Sequence, residues 1–145
     1  MQKIYLYGAG GHAKVILDIL KSNGIAVFGI FDDNPHIESF TGIPVSHTGV
    51  LRSPLIISIG DNRIRKNIAE KINQDIFSPF LCDKSAIISE SASIENGTVV
   101  MQGAIVQSSV KIGKHCIINT GASIDHDCLC THSSKMYTLW RREGR

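Results

Sequence analysis

The spacing of apolar residues in the first half of the chain predicts strands that alternate with helices. Short β-branched and aromatic runs typical of buried parallel strands occur in KIYLY (residues 3–7), AVFGIF and PLIISIG. Apolar residues at helical spacing follow the first and last of these runs, in HAKVILDILKSNG and NRIRKNIAEKIN. We expect Gly24 to cap the first helix, and Ile64, Ile68 and Ile72 to form the buried stripe of the second. The order β-α-β, then β-α, predicts a small parallel sheet with helices packed on it.

A six-residue period of apolar positions begins near Ser85 and replaces the helical spacing. Through seven consecutive hexads a branched aliphatic residue recurs, and a smaller residue stands two positions before it. Period six does not keep one helix face apolar, whereas a hexapeptide repeat places one short strand per hexad and closes a triangular coil. The sequence therefore predicts a parallel β-helix whose aliphatic side chains stack inside a three-walled prism. The aliphatic positions are Ile88, Ile94, Val100, Val106, Ile112, Ile118 and Ile124, and the smaller ones are Ala86, Ala92, Thr98, Ala104, Val110, Cys116 and Ala122.

The six-residue pattern is lost after Cys130. Residues 131–145 carry no hexad glycine, contain the only tryptophan and end in a basic run. We therefore divide the chain into a sheet domain at residues 1–81, a β-helix at 82–130 and an out-of-register tail at 131–145. So abrupt a loss of period predicts a truncated or frameshifted coding sequence, and the alternative is a short variant whose tail folds as a cap.

The charge and composition of the chain exclude several classes of partner. The net charge of +2 is too small to favour nucleic acid or an anionic membrane surface. Every apolar run is too short to span a bilayer, and the N-terminus enters a strand pattern at once, without the pattern of a signal peptide. We therefore expect a cytoplasmic protein that binds neither nucleic acid nor membrane.

The second half of the chain contains four cysteines, which a cytoplasmic location would keep reduced. Two of them alternate with histidines in the order His126, Cys128, Cys130, His132, which raises the hypothesis of a zinc site. The spacing does not match the ligand spacing of a zinc knuckle. We expect instead small apolar cysteines packed inside the protein, and no metal site.

A glycine-rich turn joins the first predicted strand to the first helix. Gly8, Gly10 and Ala13 satisfy the pattern G-x-G-x-x-G/A, in which the first glycine permits a tight turn and the second lets the backbone approach a phosphate. The start of the helix adds free N–H groups and a positive dipole. A nucleotide-containing ligand is therefore expected here, and a tight turn without a ligand is the alternative.

Polar residues at neighbouring strand ends extend this candidate site. Asp32 follows the second strand about twenty residues after the turn, where a carboxylate can accept from a ribose hydroxyl. Gly60 lies in a second loop that opens a helix, and His12 could either donate to a phosphate or sugar oxygen or face solvent. A sheet domain of about eighty residues is roughly half of a full dinucleotide-binding fold, which argues against NAD.

Four separated motifs, spread in order over residues 1 to about 129, carry a specific resemblance. They are KIYLYGAGGHAKV, FDD, SIGDNRIRKNIAEKI and the hexads that end in CIINTGASIDHDC. Together they resemble the sialic-acid O-acetyltransferase-like sugar acetyltransferases, which include the UDP-amino-sugar N-acetyltransferases of bacterial glycan synthesis. The resemblance implies a Rossmann-like domain that binds a nucleotide sugar or sugar acceptor, followed by a left-handed β-helix acyltransferase domain. That β-helix would form homotrimers and bind acetyl-CoA between neighbouring subunits.

The resemblance also implies roles for particular residues. Those on the nucleotide-sugar side are Gly10, Gly11 and His12 in the phosphate-side turn, Asp32 and Asp33 as nucleoside-binding acids, and Gly60 in the second loop. On the acetyl-transfer side, His126 would be the general base and Asp127 the acid beside it that raises its basicity. A second histidine of the family contacts acetyl-CoA, but the sequence around His132 does not match, so that role is not assigned.

The residues around His126 suit a general base and leave its partner open. A neutral histidine can take the proton from an amine or hydroxyl that attacks a thioester, and a nearby carboxylate can orient the ring. Neighbouring side chains in an extended segment point apart, so Asp125 or a residue of an adjacent coil is an alternative partner to Asp127. Without the resemblance, His126 would be interpreted as a surface imidazole at a coil corner.

Three functional hypotheses follow. The leading one is an acetyl-CoA-dependent acetyltransferase that acts on the nitrogen or oxygen of a sugar or a nucleotide-linked amino sugar in bacterial glycan or polysaccharide synthesis, an activity that truncation could remove. Its rivals are a non-catalytic module that binds sugar nucleotides and a small NAD-dependent oxidoreductase. Release of the CoA thiol separates the first hypothesis from the second, and tighter binding of NAD(H) than of UDP-sugars would favour the third.

Overall fold

Two compact units make up the chain, which divides after Ser78 in the computed structural model. The structure describes residues 2–137. The division after Ser78 comes earlier than the boundary after residue 81 that the sequence pattern predicted. Within residues 2–137, no helix has both the length and the apolar character needed to cross a membrane.

The first unit is a five-stranded sheet with two helices. The predicted strands at residues 3–7 and 26–31 are confirmed, and the third is shorter than the predicted run. The spatial order is β3-β4-β2-β1-β5, and every pairing is parallel except that of β3 with β4. The elements are β1 (Lys3–Tyr7), α1 (Gly11–Ser22), β2 (Ala26–Phe31), β3 (Ser39–Phe40), β4 (Ile43–Ser46), β5 (Leu55–Ile57), α2 (Asn62–Lys71) and a short 3-10 helix (Gln74–Ile76).

Gly24 ends helix α1 as the sequence predicted. It adopts a left-handed φ of 66°, and its N–H donates to the carbonyl of Lys21, while the N–H of Ile25 donates to the carbonyl of Leu20. This pair of bonds is the Schellman motif, which a glycine adopts without steric cost. The chain can therefore turn sharply from α1 into β2.

The prediction that Ile64 lies on the buried stripe of helix α2 is wrong. Ile64 is 50% exposed, whereas Arg65 is 1% exposed and takes the buried position. The guanidinium of Arg65 donates to the carbonyls of Ile59 and Gly60 and to the side-chain oxygen of Asn62. A buried cation is tolerated when its donors are satisfied, so the loop before α2 determines which face is buried.

Strands β3 and β4 form a hairpin that the sequence pattern did not predict. Strand β4 pairs in parallel with β2, so that Phe31 lies opposite Ser46. The strand has four residues and contains Pro44, which weakens any signal for a strand. As a consequence, the chain after Ser46 reaches the same sheet edge as the predicted site.

The second unit is a parallel β-helix of two-residue strands, six residues apart, as predicted. Each strand pairs with the one a full coil further on, as Ile105 does with Ser123. Three sheets result, in the orders β13-β10-β7, β14-β11-β8 and β15-β12-β9-β6. The strands are β6 (Leu81–Cys82), β7 (Ile87–Ile88), β8 (Ser93–Ile94), β9 (Val99–Val100), β10 (Ile105–Val106), β11 (Lys111–Ile112), β12 (Ile117–Ile118), β13 (Ser123–Ile124), β14 (Leu129–Cys130) and β15 (Lys135–Met136).

The predicted stacking of aliphatic residues inside the prism is confirmed. Val100, Val106, Ile112, Ile118 and Ile124 are all at most 1% exposed and share one core cluster with the smaller residues of the repeat. Register places them in three stacks, one per wall. The stacks are Ile88–Val106–Ile124, Ile94–Ile112–Cys130 and Cys82–Val100–Ile118–Met136.

The repeat continues one strand beyond the predicted end at Cys130. Strand β15 pairs with β12 and brings Met136 into the stack below Ile118. No glycine is needed at the preceding corner because Ser133 adopts the left-handed φ of 59° that glycines adopt at other corners. Residues 131–136 therefore belong to the β-helix and not to an out-of-register tail, and the remainder of the predicted tail, from residue 138, lies outside the described residues.

Candidate functional site

The carboxyl ends of the parallel strands bring the predicted nucleotide-binding residues to one edge of the first unit. Strand β5 pairs with β1 on the side opposite to β2, so the loops after β1 and β5 flank a point where the strand order reverses. Ligands of open α/β sheets bind at such a point. The hydroxyl of Ser58 donates to the carbonyl of Gly8 over 2.5 Å, and the N–H of Ala9 donates to Asp32 over 2.8 Å. The three predicted strand ends are thus joined directly.

The glycines of the turn are present for different reasons. Gly8 has a φ of 121°, and a Cβ there would lie 2.7 Å from Ile59 and 3.0 Å from the carbonyl oxygen of Ser58. A Cβ on Gly10 or Gly11 would meet no atom within 4 Å. Packing therefore requires a glycine at position 8 but not at 10 or 11, where the open space suits the approach of a ligand.

Matched alanine substitutions should separate these two kinds of glycine. Gly8→Ala should lower the free energy of unfolding by about 1–3 kcal/mol, because the methyl group meets Ser58 and Ile59 in a strained backbone. Gly11→Ala should raise it by up to about 1 kcal/mol, because alanine favours the helix. Urea unfolding of both variants measures the difference, and a Gly8→Ala protein as stable as the wild type would contradict it.

The two helices that begin at this edge differ in how their first amides are satisfied. Helix α2 is capped by Asp61, whose carboxylate accepts from the N–H of Ile64 over 2.9 Å. Helix α1 has Gly10 as its N-cap, with no side-chain cap and no acidic residue in its first turn. Uncapped amides and the helix dipole attract an anion, so α1 is the helix suited to a phosphate.

The predicted residues His12 and Gly60 flank this turn. His12 lies in the first turn of α1, half-buried, and its Nε2 atom is out of contact with solvent, so the ring does not simply face water. Gly60 precedes the N-cap of α2, and its carbonyl accepts from Arg65 over 3.2 Å. The second loop is therefore held by the buried guanidinium.

The two acids after β2 are placed differently. Asp32 accepts from the N–H of Ala9 with one carboxylate oxygen and from the N–H of Asn34 with the other. Asp33 is exposed. Burial first, and then the charges of Asp33 and Asp32, raise the pKa of the Tyr7 hydroxyl. Asp32 thus fixes the turn, and Asp33 is the more accessible carboxylate.

His47 is a residue of this edge that the sequence analysis did not identify. It follows β4 directly, and its Nδ1 atom lies 2.9 Å from the carbonyl oxygen of Asp32. Only the pairing of β4 with β2 brings it there. In the sequence, only the short apolar run before Ser46 could have indicated that His47 lies at the end of a strand.

In the second unit, His126 and Asp127 form a hydrogen-bonded pair at a corner of the β-helix. The Nδ1 atom of His126 lies 2.7 Å from a carboxylate oxygen of Asp127, and the two side chains are 73% and 74% exposed. Asp127 has a left-handed φ of 61°, which lets consecutive side chains meet. The hydrogen bond and charge of Asp127, with a smaller effect of Asp125, raise the pKa of His126. The neighbour is therefore its partner, and not a residue of another coil.

The four residues of the zinc hypothesis do not come together. Cys128 and Cys130 point into the core, whereas His126 and His132 are exposed. Burial, with the nearby Cys116 and Cys128, raises the pKa of Cys130 to about 12, which keeps the thiol protonated. Among residues 2–137, no three histidine, cysteine or acidic side chains are grouped so that they could hold a metal.

Comparison with known proteins relates both units to sugar acetyltransferases. Residues 3–72 match the family described as PglD N-terminal domain. The UDP-N-acetylbacillosamine N-acetyltransferase of Bacillus subtilis is 38% identical over 113 residues, which are 70% of this chain and 52% of that protein. The chain is also 33% identical over 120 residues to an uncharacterized protein of Acanthamoeba polyphaga mimivirus, and it spans 24% of that protein's length, so it covers about half or less of each of these two relatives.

Solved structures extend the similarity over nearly the whole chain. The acetyltransferase domain of PglB from Neisseria gonorrhoeae, in complex with acetyl coenzyme A, is 35% identical with a TM-score of 0.79, over 92% of this chain and 69% of that one. A mutant of perosamine N-acetyltransferase from Caulobacter crescentus, in complex with CoA and GDP-perosamine, is 32% identical with a TM-score of 0.82, over 93% of this chain and 68% of that one. The chain therefore belongs to the hexapeptide-repeat family of sugar acetyltransferases that includes these proteins.

Proposed function

We propose that the protein is an acetyl-CoA-dependent acetyltransferase that acetylates a nucleotide-linked sugar in bacterial glycan or polysaccharide synthesis. The observation that carries this proposal is the His126–Asp127 pair, held at 2.7 Å on an exposed corner of the β-helix. Structures with this fold and sequence similarity contain CoA or acetyl coenzyme A. The same matches, with perosamine and bacillosamine N-acetyltransferases among them, favour an amine as the acceptor.

The first unit supplies the binding site for the nucleotide of the acceptor. The uncapped start of α1, with Gly10, Gly11 and His12, receives the phosphates because its amides and dipole attract an anion. The other residues of this proposed site are Asp32 and Asp33 on the nucleoside and Gly60 in the second loop.

His126 acts as the general base of the transfer. Its Nε2 atom takes the proton from the amine as the amine nitrogen attacks the thioester carbonyl carbon. A carbon–nitrogen bond forms, the carbon–sulfur bond breaks, and the imidazolium returns the proton to the departing CoA thiolate. The carboxylate of Asp127 accepts from Nδ1–H and stabilises the imidazolium between these steps. This transfer requires no covalent enzyme intermediate and no metal ion.

The β-helix is expected to assemble into homotrimers that bind acetyl-CoA between neighbouring subunits. The resemblance to the sugar acetyltransferases is what supports this assembly. Multi-angle light scattering should give the mass of a trimer, and a monomer at all concentrations would contradict this. The four cysteines are free and three of them are buried, which fits a cytoplasmic location.

Release of the CoA thiol tests the proposal. Acetyl-CoA is mixed with the protein and with UDP- or GDP-linked sugars that carry either a free amine or only hydroxyls. We expect release that depends on the amine. Binding of the nucleotide sugars without thiol release would favour the non-catalytic module, and tighter binding of NAD(H) than of any nucleotide sugar would favour the oxidoreductase.

A further inference from the structure

We propose that His47 binds a ribose hydroxyl of the nucleotide through its Nε2 atom, a role that rests on the proposed nucleotide site. Strand register places it: Phe31 lies opposite Ser46, so the next residues, Asp32 and His47, lie side by side at the carboxyl edge. The N–H of Asp32 donates to the carbonyl of Ser46 over 3.0 Å, which fixes the two segments together. In dinucleotide-binding sheets, the end of the strand after the first helix is where ribose hydroxyls are bound.

The tautomer of His47 follows from its hydrogen bond. Its Nδ1 atom lies 2.9 Å from the carbonyl oxygen of Asp32. A carbonyl oxygen can only accept, so Nδ1 carries the proton. In the neutral ring, Nε2 is then an acceptor with a fixed orientation. Among residues 2–137, no protein group bonds to this Nε2, and the ring is only half-buried, so the atom is open to a ligand that donates a hydrogen bond.

The carboxylate of Asp32, which lies beside His47, is already engaged by the backbone, so a further acceptor at this edge can serve the ligand. Each carboxylate oxygen of Asp32 already accepts a backbone N–H, from Ala9 over 2.8 Å and from Asn34 over 2.9 Å. These bonds hold the glycine turn and the loop after β2, so Asp32 positions both segments in addition to its proposed contact with the nucleoside. His47, fixed by the carbonyl of the same residue, presents its Nε2 atom at the same edge as an acceptor to which no group of the described residues 2–137 bonds.

A pocket beside His47 has room for the rest of a nucleoside. It has a volume of about 500 Å³, lies along β2 and the loop after β4, and includes the side chains of Tyr5 and Phe28. Phe31 and Ser46, which also line it, directly precede Asp32 and His47. Its aromatic lining suits a base, because flat rings stack on aromatic side chains. A ribose at His47 would therefore stand between this pocket and the phosphate-side turn.

Calorimetric titration with UDP and GDP tests the proposal, with His47→Asn as the main variant. The asparagine amide can replace Nδ1 as donor to the Asp32 carbonyl but cannot reach the position of Nε2. We expect His47→Asn to weaken binding of the nucleotide about five- to tenfold, the loss of one hydrogen bond, with an unchanged melting temperature. The matched control is His36→Asn, an exposed histidine in the loop before β3, which should bind as the wild type does.

The 2′-deoxy and 3′-deoxy forms of the same nucleotides identify the contact. The wild type should bind one of these two deoxy forms about five- to tenfold more weakly than it binds the parent nucleotide. His47→Asn should bind that deoxy form and the parent nucleotide with equal affinity. Equal losses in both proteins would overturn the proposal and would be the result if His47 contacted the base or only supported the fold. A wild-type protein that binds neither UDP nor GDP would instead overturn the proposed nucleotide site.

Discussion

Replacing His126 with alanine should lower the turnover of acetyl transfer about a hundredfold or more, because the attacking amine loses the group that takes its proton. The side chain is 73% exposed, so the substitution should leave the melting temperature unchanged. Steady-state release of the CoA thiol measures the loss. A variant that retains most of the turnover would remove His126 from the mechanism.

Asp127→Asn is the matched test of the pair, since asparagine also tolerates the left-handed backbone at this position. The hydrogen bond and charge of Asp127 raise the pKa of His126. A general base works only when neutral, so turnover falls as the pH drops below that pKa. Removing the charge lowers the pKa, and the acid limb of the rate profile should move to lower pH. An unshifted limb would show that Asp127 does not set the protonation of the base.

Replacing Ile112 with aspartate should prevent the β-helix from folding, a loss of more than about 4 kcal/mol. Ile112 is 1% exposed and packs between Ile94 and Cys130 within its wall, where a carboxylate would find no partner and no water. The control is Lys111→Asp, the same new residue one position away on the outer side of β11. Circular dichroism and urea unfolding should show near wild-type stability for the control, and equal stability of the two variants would contradict the stacked core.

The periodic parts of the fold were predictable because each is a property of local sequence. The hexads set the strands and their stacks, because each hexad forms one strand and equivalent positions stack from coil to coil. The end of the repeat was harder to place. The last strand has Met136 at the aliphatic position and Ser133 at the corner, and neither residue matches the pattern of the earlier hexads.

The parts that sequence reasoning missed depend on contacts between distant segments. Arg65 is buried only because the carbonyls of Ile59 and Gly60 accept its donors, which no helical stripe reveals. His47 reaches the candidate site only because β4, a strand interrupted by Pro44, pairs with β2. Local pattern predicts elements, whereas these residues are placed by the packing of one element on another.

The hydrogen-bond partner of His126 also could not be predicted from the local sequence pattern, although it is the next residue. Consecutive side chains point apart in an extended segment, and that expectation left the partner of His126 open. The left-handed φ of Asp127 instead lets the two consecutive side chains meet. Corners of this β-helix repeatedly adopt that conformation, so the turn and not the strand determines where the candidate base finds its acid. The residues with a left-handed φ there are Gly97, Gly103, Ser109, His115, Gly121, Asp127 and Ser133.

Mass spectrometry of the reaction product tests the central claim most directly. The protein is incubated with isotopically labelled acetyl-CoA and a nucleotide-linked amino sugar, and both the free CoA and the labelled sugar are counted. The account predicts one acetyl group on the amine of the sugar for each CoA released. An acceptor that stays unlabelled while it binds the protein would contradict it.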